Sequence, residues 1–408
     1  MSAQRDQERE EVQLEARRNS ILHEHPEYSD PIKVAALVQN LQQSNIDLQQ
    51  QLDRLKNVLG ETQDSLAAVE GGAHGVEVAL AMVKPSVGLS WDALSHEPTA
   101  DGEDPVHVLT GCKRHTFYAI SQAVAKLDLQ SMWSSGGSGR KGFPDVRTVF
   151  LWVLVTLRLG LSKSVCGYLL GIKRPAKKAN AFNRGLAMLA ALLDNLYGAD
   201  VFSNEEFQSC YRTQPFMGGF TFVHLIGDCS STPCQCPAGN HLQRKFLYSA
   251  YYGCTCIKWG LAINAAGFIE WVSIGYCGNS ADDVVCSELV PAVIKGWTLM
   301  YDKGGGSLCH LCKDAGIGHK TPHSVSQGRL TNAEFRASRE ISGRRSHVER
   351  AVRTVKSFRV LTSTVGVHDF EAFDDVLLLI KRLCNLNQPL AIHATDRGAS
   401  EGVESLIS

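Results

Sequence analysis

From about residue 218 the chain loses its helical periodicity. GFTFVHLIGDCSS, KFLYSAYYGCTCIKWGLAINAAGFIEWVSIGY and KGWTLMYDKGG are aromatic and β-branched runs closed by glycine, the composition of strands. SADDVVCSELVPAVIKG, between two of these runs, reads as a helix, and the chain from about 332 is mostly helical. Strands, a crossover helix, another strand and then helices specify an α/β domain with a mixed sheet, assigned to 218–387 with a tail at 388–408.

Two acids sit where strands run out. Asp228 ends FVHLIGD and Asp302 ends GWTLMYD; carboxylates at strand ends open onto the sheet edge, the usual place for an α/β site. Mg²⁺ takes oxygen ligands and is held by a few carboxylates, leaving the rest of its shell to water and phosphate. A third acid, Glu349, stands in RRSHVERAVRTVKSFR among Arg344, Arg345, Arg350, Arg353, Lys356 and Arg359. On a helix Val348, Val352 and Val355 form an apolar stripe, and Glu349, Arg353 and Lys356 repeat that spacing one position over. Glu349 is then either a salt-bridge partner of Arg345 or Arg353, worth about 0.3–0.5 kcal/mol, or a metal ligand beside cations that hold phosphate.

The succession GDCSSTP, RKFLYSAYYGCTC, GNSADD, MYDKGG and RRSHVERAVRTVKSFRVL resembles the Harbinger-type DDE transposases over roughly 218–387. Upstream, HVLTGCKRHTFYAI and VRTVFLWVLVTLRLGLSKSVCGYLL look like the helix-turn-helix segment that precedes the nuclease in related elements. The resemblance implies an RNase H-like fold and a triad of Asp228, Asp302 and Glu349 that binds two divalent ions, Mg²⁺ or Mn²⁺. It points to Asp282 as a fourth polar group, with Asp283 beside it, and to His347 and Arg350 as flanking residues. The implied chemistry is in-line attack on a DNA phosphodiester, first by water and then by the freed 3′-hydroxyl on target DNA. The implied partners are DNA, as terminal repeats and target site, and a separate DNA-binding protein. The alternative is a domesticated copy that keeps the core, loses catalysis and serves as a DNA-binding or scaffold protein. One departure from the family pattern is KGGGSLCHLC, which lacks an aromatic residue soon after the Asp-Lys-Gly motif. Asp282 has a second reading as a helix N-cap.

Ahead of this domain the chain reads as a charged tail at 1–33, a coiled coil at 34–66, a Gly-, Pro- and acid-rich linker at 67–106 and a helical, helix-turn-helix-like subdomain at 107–200. Val38, Asn45, Leu52 and Leu59 occupy a positions and Leu41, Leu48 and Leu55 d positions; one polar a position with Leu at d suits a parallel two-stranded zipper, hence a homodimer. An amphipathic helix packed on its own domain is the other reading. In LSKSVCGYLLGIKRPAKKANAFNRGLAMLAALL the rhythm is helix, turn, helix, and Lys173, Arg174, Lys177 and Lys178 supply phosphate contacts, a nuclear import signal or a solvated helix start.

With 41 Lys and Arg against 42 Asp and Glu, polyanion binding must come from local clusters such as these. The charged start lacks the apolar core of a signal peptide, and VFLWVLVTLRLGL is too short to span a bilayer of roughly 30 Å, so synthesis in the cytosol, action in the nucleus and no membrane partner are expected. Thirteen cysteines include a CxxC at Cys309 and Cys312, but no second half-site has convincing spacing, and buried or idle thiols are favoured over zinc.

Overall fold

The computed structural model describes residues 89–96, 104–126, 144–196, 222–237, 241–293, 295–302, 307–323 and 331–387. The charged tail, the coiled coil with Val38 through Leu59 and the C-terminal tail lie outside them.

The helical part runs through α1 (Trp91–His96), α2 (Pro105–Thr110), α3 (Arg114–Lys126), α4 (Val146–Leu159), α5 (Lys163–Leu169) and α6 (Ala179–Leu196). α4 is apolar around nearly its whole circumference and is buried accordingly, including every residue from Val149 to Leu157. The Asp145 side chain accepts from the Thr148 N–H at its start, and Gly160 closes it in the left-handed region at φ 64°. Where α6 crosses α4, a Cβ on Gly185 would stand 2.2 Å from Val149 Cγ1, so this crossing requires glycine. Within the described part of the expected linker, Leu89, Trp91 and Leu94 are buried in the core, and Trp91 stacks on Phe117. A six-residue helix carries too few positions for a period to be read from it.

The α/β part supplies β1 (Val223–Pro233), α7 (His241–Leu247), β2 (Tyr248–Ser249), β3 (Cys254–Asn264), β4 (Ile269–Val272) and β5 (Tyr276–Cys277). α8 (Asp282–Ser287), β6 (Thr298–Met300), α9 (Leu308–Asp314), β7 (Gly318–Lys320), α10 (Asn332–Lys356) and α11 (Phe373–Asn387) follow. The sheet runs β2-β3-β1-β6-β7, with β4 and β5 also on β3. β1 is antiparallel to β3 and parallel to β6, and β6 is parallel to β7, so the sheet is mixed.

Alternation along β1 sorts the two faces. Ile226 joins Leu261, Ile263 and Met300 in a core shared with α4, α6, α10 and α11, while Leu225 joins Leu299, Leu289 and Leu308 under α8 and α9. The helices from Leu89 onward therefore share one core with the sheet. α11 is tied to the edge strand by Asn385, whose side chain accepts from the Ile269 N–H at 2.9 Å and donates to its carbonyl at 3.0 Å. Among the described residues no helix is long and apolar enough to cross a membrane.

Candidate active site

Parallel pairing sets the first two acids side by side. Ile226 pairs with Met300, and two residues further along each chain come Asp228, on β1, and Asp302, just past β6. An even step preserves the face, so both acids lie on the side covered by α10.

α10 begins where its sequence allows. The Thr331 hydroxyl accepts from the Glu334 N–H, and the Glu334 carboxylate accepts from the Thr331 N–H at 2.8 Å, a reciprocal capping box. Its second half then packs Val348, Ala351 and Val355 into the core, with Val352, the middle member of the valine stripe, half-buried against it. One turn before Glu349 on the same row, Arg345 is carried under the sheet edge and is only 8% exposed. Its Nη1 donates to Asp302 Oδ1 at 3.0 Å, and its Nη2 lies 3.7 Å from Asp228 Oδ1. The first is a charge-assisted hydrogen bond; the second is an ion pair too long to be one. Arg345 Nε is buried with no hydrogen-bond partner among the described residues.

Asp228 is perturbed by its surroundings. Burial pushes its carboxyl up to about 6; the Arg345 charge and the Cys229 N–H, which donates to Oδ1 at 2.9 Å, pull it down, and the charges of Asp302 and Glu349 push it up further. All three acids of the sequence motifs therefore share one electrostatic neighbourhood, with Glu349 exposed. Carboxylate oxygens suit a divalent ion, and Asp228 and Asp302 already close on a cation. That cation is the protein's own: as the side chains stand, no three His, Cys, Asp or Glu among the described residues gather closely enough to hold a metal.

Several expected roles change. Arg345, expected to meet phosphate, is engaged by the two aspartates, because the register of β1 and β6 brings both under its guanidinium. Arg350 is half-buried and its Nη2 donates to Nδ1 of the buried His347 at 2.8 Å. Arg353 remains exposed and Lys356 half-buried on the Glu349 flank. Asp282 does not cap α8, whose N-cap is Ala281; it is the first helical residue, and its Oδ1 accepts from Lys258 Nζ at 2.8 Å. It still lies close to the site, since its carbonyl is 3.7 Å from Cys229 Sγ. Asp283 accepts a hydrogen bond from Ser307.

Lys173, Arg174 and Lys177 are exposed and Lys178 half-buried in the turn between α5 and α6, where Pro175 opens a 3-10 turn. Of the CxxC pair, Cys312 is buried and Cys309 Sγ lies 3.0 Å from His319 Nε2. One basic feature escaped the sequence reading. Arg336, Arg339 and Arg344, with Glu340 and Gly343, line a shallow hollow of about 570 Å³ on the first half of α10. The spacing of arginines in RASREISGRR was its signal.

No curated protein and no solved structure matches the chain. Residues 227–385, which carry Asp228, Asp302, Glu349 and the helices that position them, match the family model of the DDE superfamily endonuclease, and that match supports a transposase-derived nuclease.

Proposed function

We propose that this chain is a metal-dependent DNA endonuclease or transposase of the Harbinger type, with an RNase H-like domain and a catalytic triad of Asp228, Asp302 and Glu349. One observation carries the reading. Two aspartates brought together by parallel strands share a single guanidinium one helical turn from Glu349, inside the segment that matches the endonuclease family. Two carboxylates close on one cationic position, with the Glu349 charge in the same electrostatic neighbourhood, and carboxylate oxygens of this kind suit Mg²⁺ or Mn²⁺. Ions bound there would activate water and stabilise the leaving oxygen of a phosphodiester.

The chain's own residues divide the remaining work. α10 fixes Glu349 by burying Val348 and Ala351 on either side of it in sequence. Arg353 and Lys356, on the same flank, meet the phosphates of the strand being cut. α5, the basic turn and α6 form the helix-turn-helix element, with Lys173, Arg174, Lys177 and Lys178 on the DNA backbone. Residues 34–66 make the homodimer, and the protein works in the nucleus on terminal repeats and target DNA, with a separate DNA-binding protein as partner.

The test is nicking of DNA that bears the element's terminal repeats, by full-length protein with Mg²⁺ or Mn²⁺. Asp302→Ala should cost roughly 10⁴-fold, the scale expected when one member of a catalytic unit is removed; equal activity of the variant would sink this site. Arg345 between the aspartates favours one other reading, a domesticated DNA-binding or scaffold protein whose acids are permanently neutralised. Salt-sensitive DNA binding without nicking in either metal would decide for it.

A further inference from the structure

We propose that Arg345 is a positioning residue that serves as the resident counter-cation of the acidic site, competing with a divalent ion for the Asp228 and Asp302 carboxylates. This rests on the metal-dependent reading above and deepens it by naming what regulates ion entry.

The geometry supplies the argument. Arg345 meets both aspartates through oxygens that a metal would need, Asp302 Oδ1 at 3.0 Å and Asp228 Oδ1 at 3.7 Å. It is 8% exposed and held by a helix whose neighbouring turns are packed against the sheet, so it cannot swing freely into water. A divalent ion bound to those oxygens would therefore sit within a few ångströms of a fixed like charge, in a half-buried place where screening is weak. Arg345 must yield at least one carboxylate before the ion is held.

The arrangement also has a use before the ion arrives. Asp228 is half-buried beside two further acids, and without a cation the three carboxylates would repel one another. The guanidinium bridges the middle of β1 at Asp228 and the residue just past β6 at Asp302 through its two arms. Its Nε, buried with no partner among the described residues, leaves Arg345 short of the full set of bonds a buried guanidinium would make. An arginine satisfied at every nitrogen would be harder to displace. The Asp302 end is the more exposed, its side chain 58% open against 23% for Asp228, so the Asp302 contact is the one positioned to exchange first.

Full-length, metal-stripped protein titrated with Mn²⁺, read by calorimetry and by the signal of free Mn²⁺, tests this without any cutting assay. Arg345→Gln should bind Mn²⁺ at least tenfold more tightly than wild type, and its melting temperature should fall in metal-free buffer and recover on adding Mn²⁺. Arg345→Lys, which keeps a cation but reaches one carboxylate at a time, is the safer fold and should bind at least threefold more tightly. A merely structural arginine would lower stability in both variants without raising affinity. If wild type binds Mn²⁺ and neither variant binds it more tightly, the competition is overturned while the endonuclease reading stands. If none of the three proteins takes Mn²⁺, the metal-dependent reading fails and this inference falls with it.

Discussion

α4 and α10 are both long helices packed in one core, and they are built in opposite ways. α4 buries nearly every side chain, so its sequence is hydrophobic all round and its face toward any one neighbour is unremarkable. α10 is 25 residues long and buries six, among them Arg345 and His347. Burying a guanidinium is costly unless it is paired, and Arg345 is paired with the two acids of the site. The difference teaches where stability and chemistry are kept. α4 contributes packing that any well-fitted apolar set could supply, whereas α10 places two polar groups in the interior, one of them, Arg345, against Asp228 and Asp302.

That contrast breaks first at Trp152. It is fully buried on α4, lies edge-on to Phe182 at 5.2 Å and donates from Nε1 to the Lys163 carbonyl at 2.7 Å. Trp152→Ala should cost about 3–5 kcal/mol, from the lost ring and the cavity it leaves. Urea unfolding would show it as a lower midpoint at unchanged slope. Below the onset of unfolding, Mn²⁺ affinity should match wild type; a selective loss of affinity in the folded protein would mean that α4 helps to shape the site.

Much of this division was legible in the chain. The strand, helix, strand order, Asp302 just past the strand that closes GWTLMYD, and the valines beside Glu349 follow from local spacing, whereas Asp228, expected at a strand end, stands in the middle of β1, which runs on to Pro233. The role of Arg345 was not. On a helix wheel it occupies the same row as Glu349 and reads as one more solvent-facing cation; only the register of β1 against β6, 43 residues and more away in sequence, puts carboxylates over it. The N-cap reading of Asp282 failed for a similar reason, since its partner Lys258 comes from β3, and no local pattern reports on such a pair. Leu89, Trp91 and Leu94 were hidden by brevity, three anchors in a segment without a period.

A pH titration sharpens the comparison at an intermediate scale. Burial raises the Asp228 carboxyl to about 6 from the usual 3.8, so between those values the folded chain holds the proton more tightly than the unfolded one. The sign follows directly. This group favours folding as pH falls from about 6 toward 4, and its penalty is fully present above about 6. Metal binding, which needs the carboxylate, moves the other way. Mn²⁺ affinity should therefore drop about tenfold per pH unit below 6 while Asp228 gives no matching loss of stability. Affinity that stays flat down to pH 5 would show that Asp228 is ionised throughout.

The smallest effect lies within α10 itself. Thr331 and Glu334 cap the exposed, arginine-bearing half, which carries Arg336, Arg339 and Arg344, and the packed half with Arg345 and Glu349 begins about three turns later. Thr331→Ala removes one arm of the capping box and should cost about 1 kcal/mol. The loss should appear as faster amide exchange over roughly the first two turns, because a frayed end costs little where few side chains are buried. The packed half has its own anchors in Val348, Ala351 and Val355, so Mn²⁺ affinity should not change. An affinity that falls together with the exchange protection would mean that the two halves of α10 move as one body. The cap would then act on the register of Arg345 over the aspartates, and the position of the site would depend on the helix from its first turn.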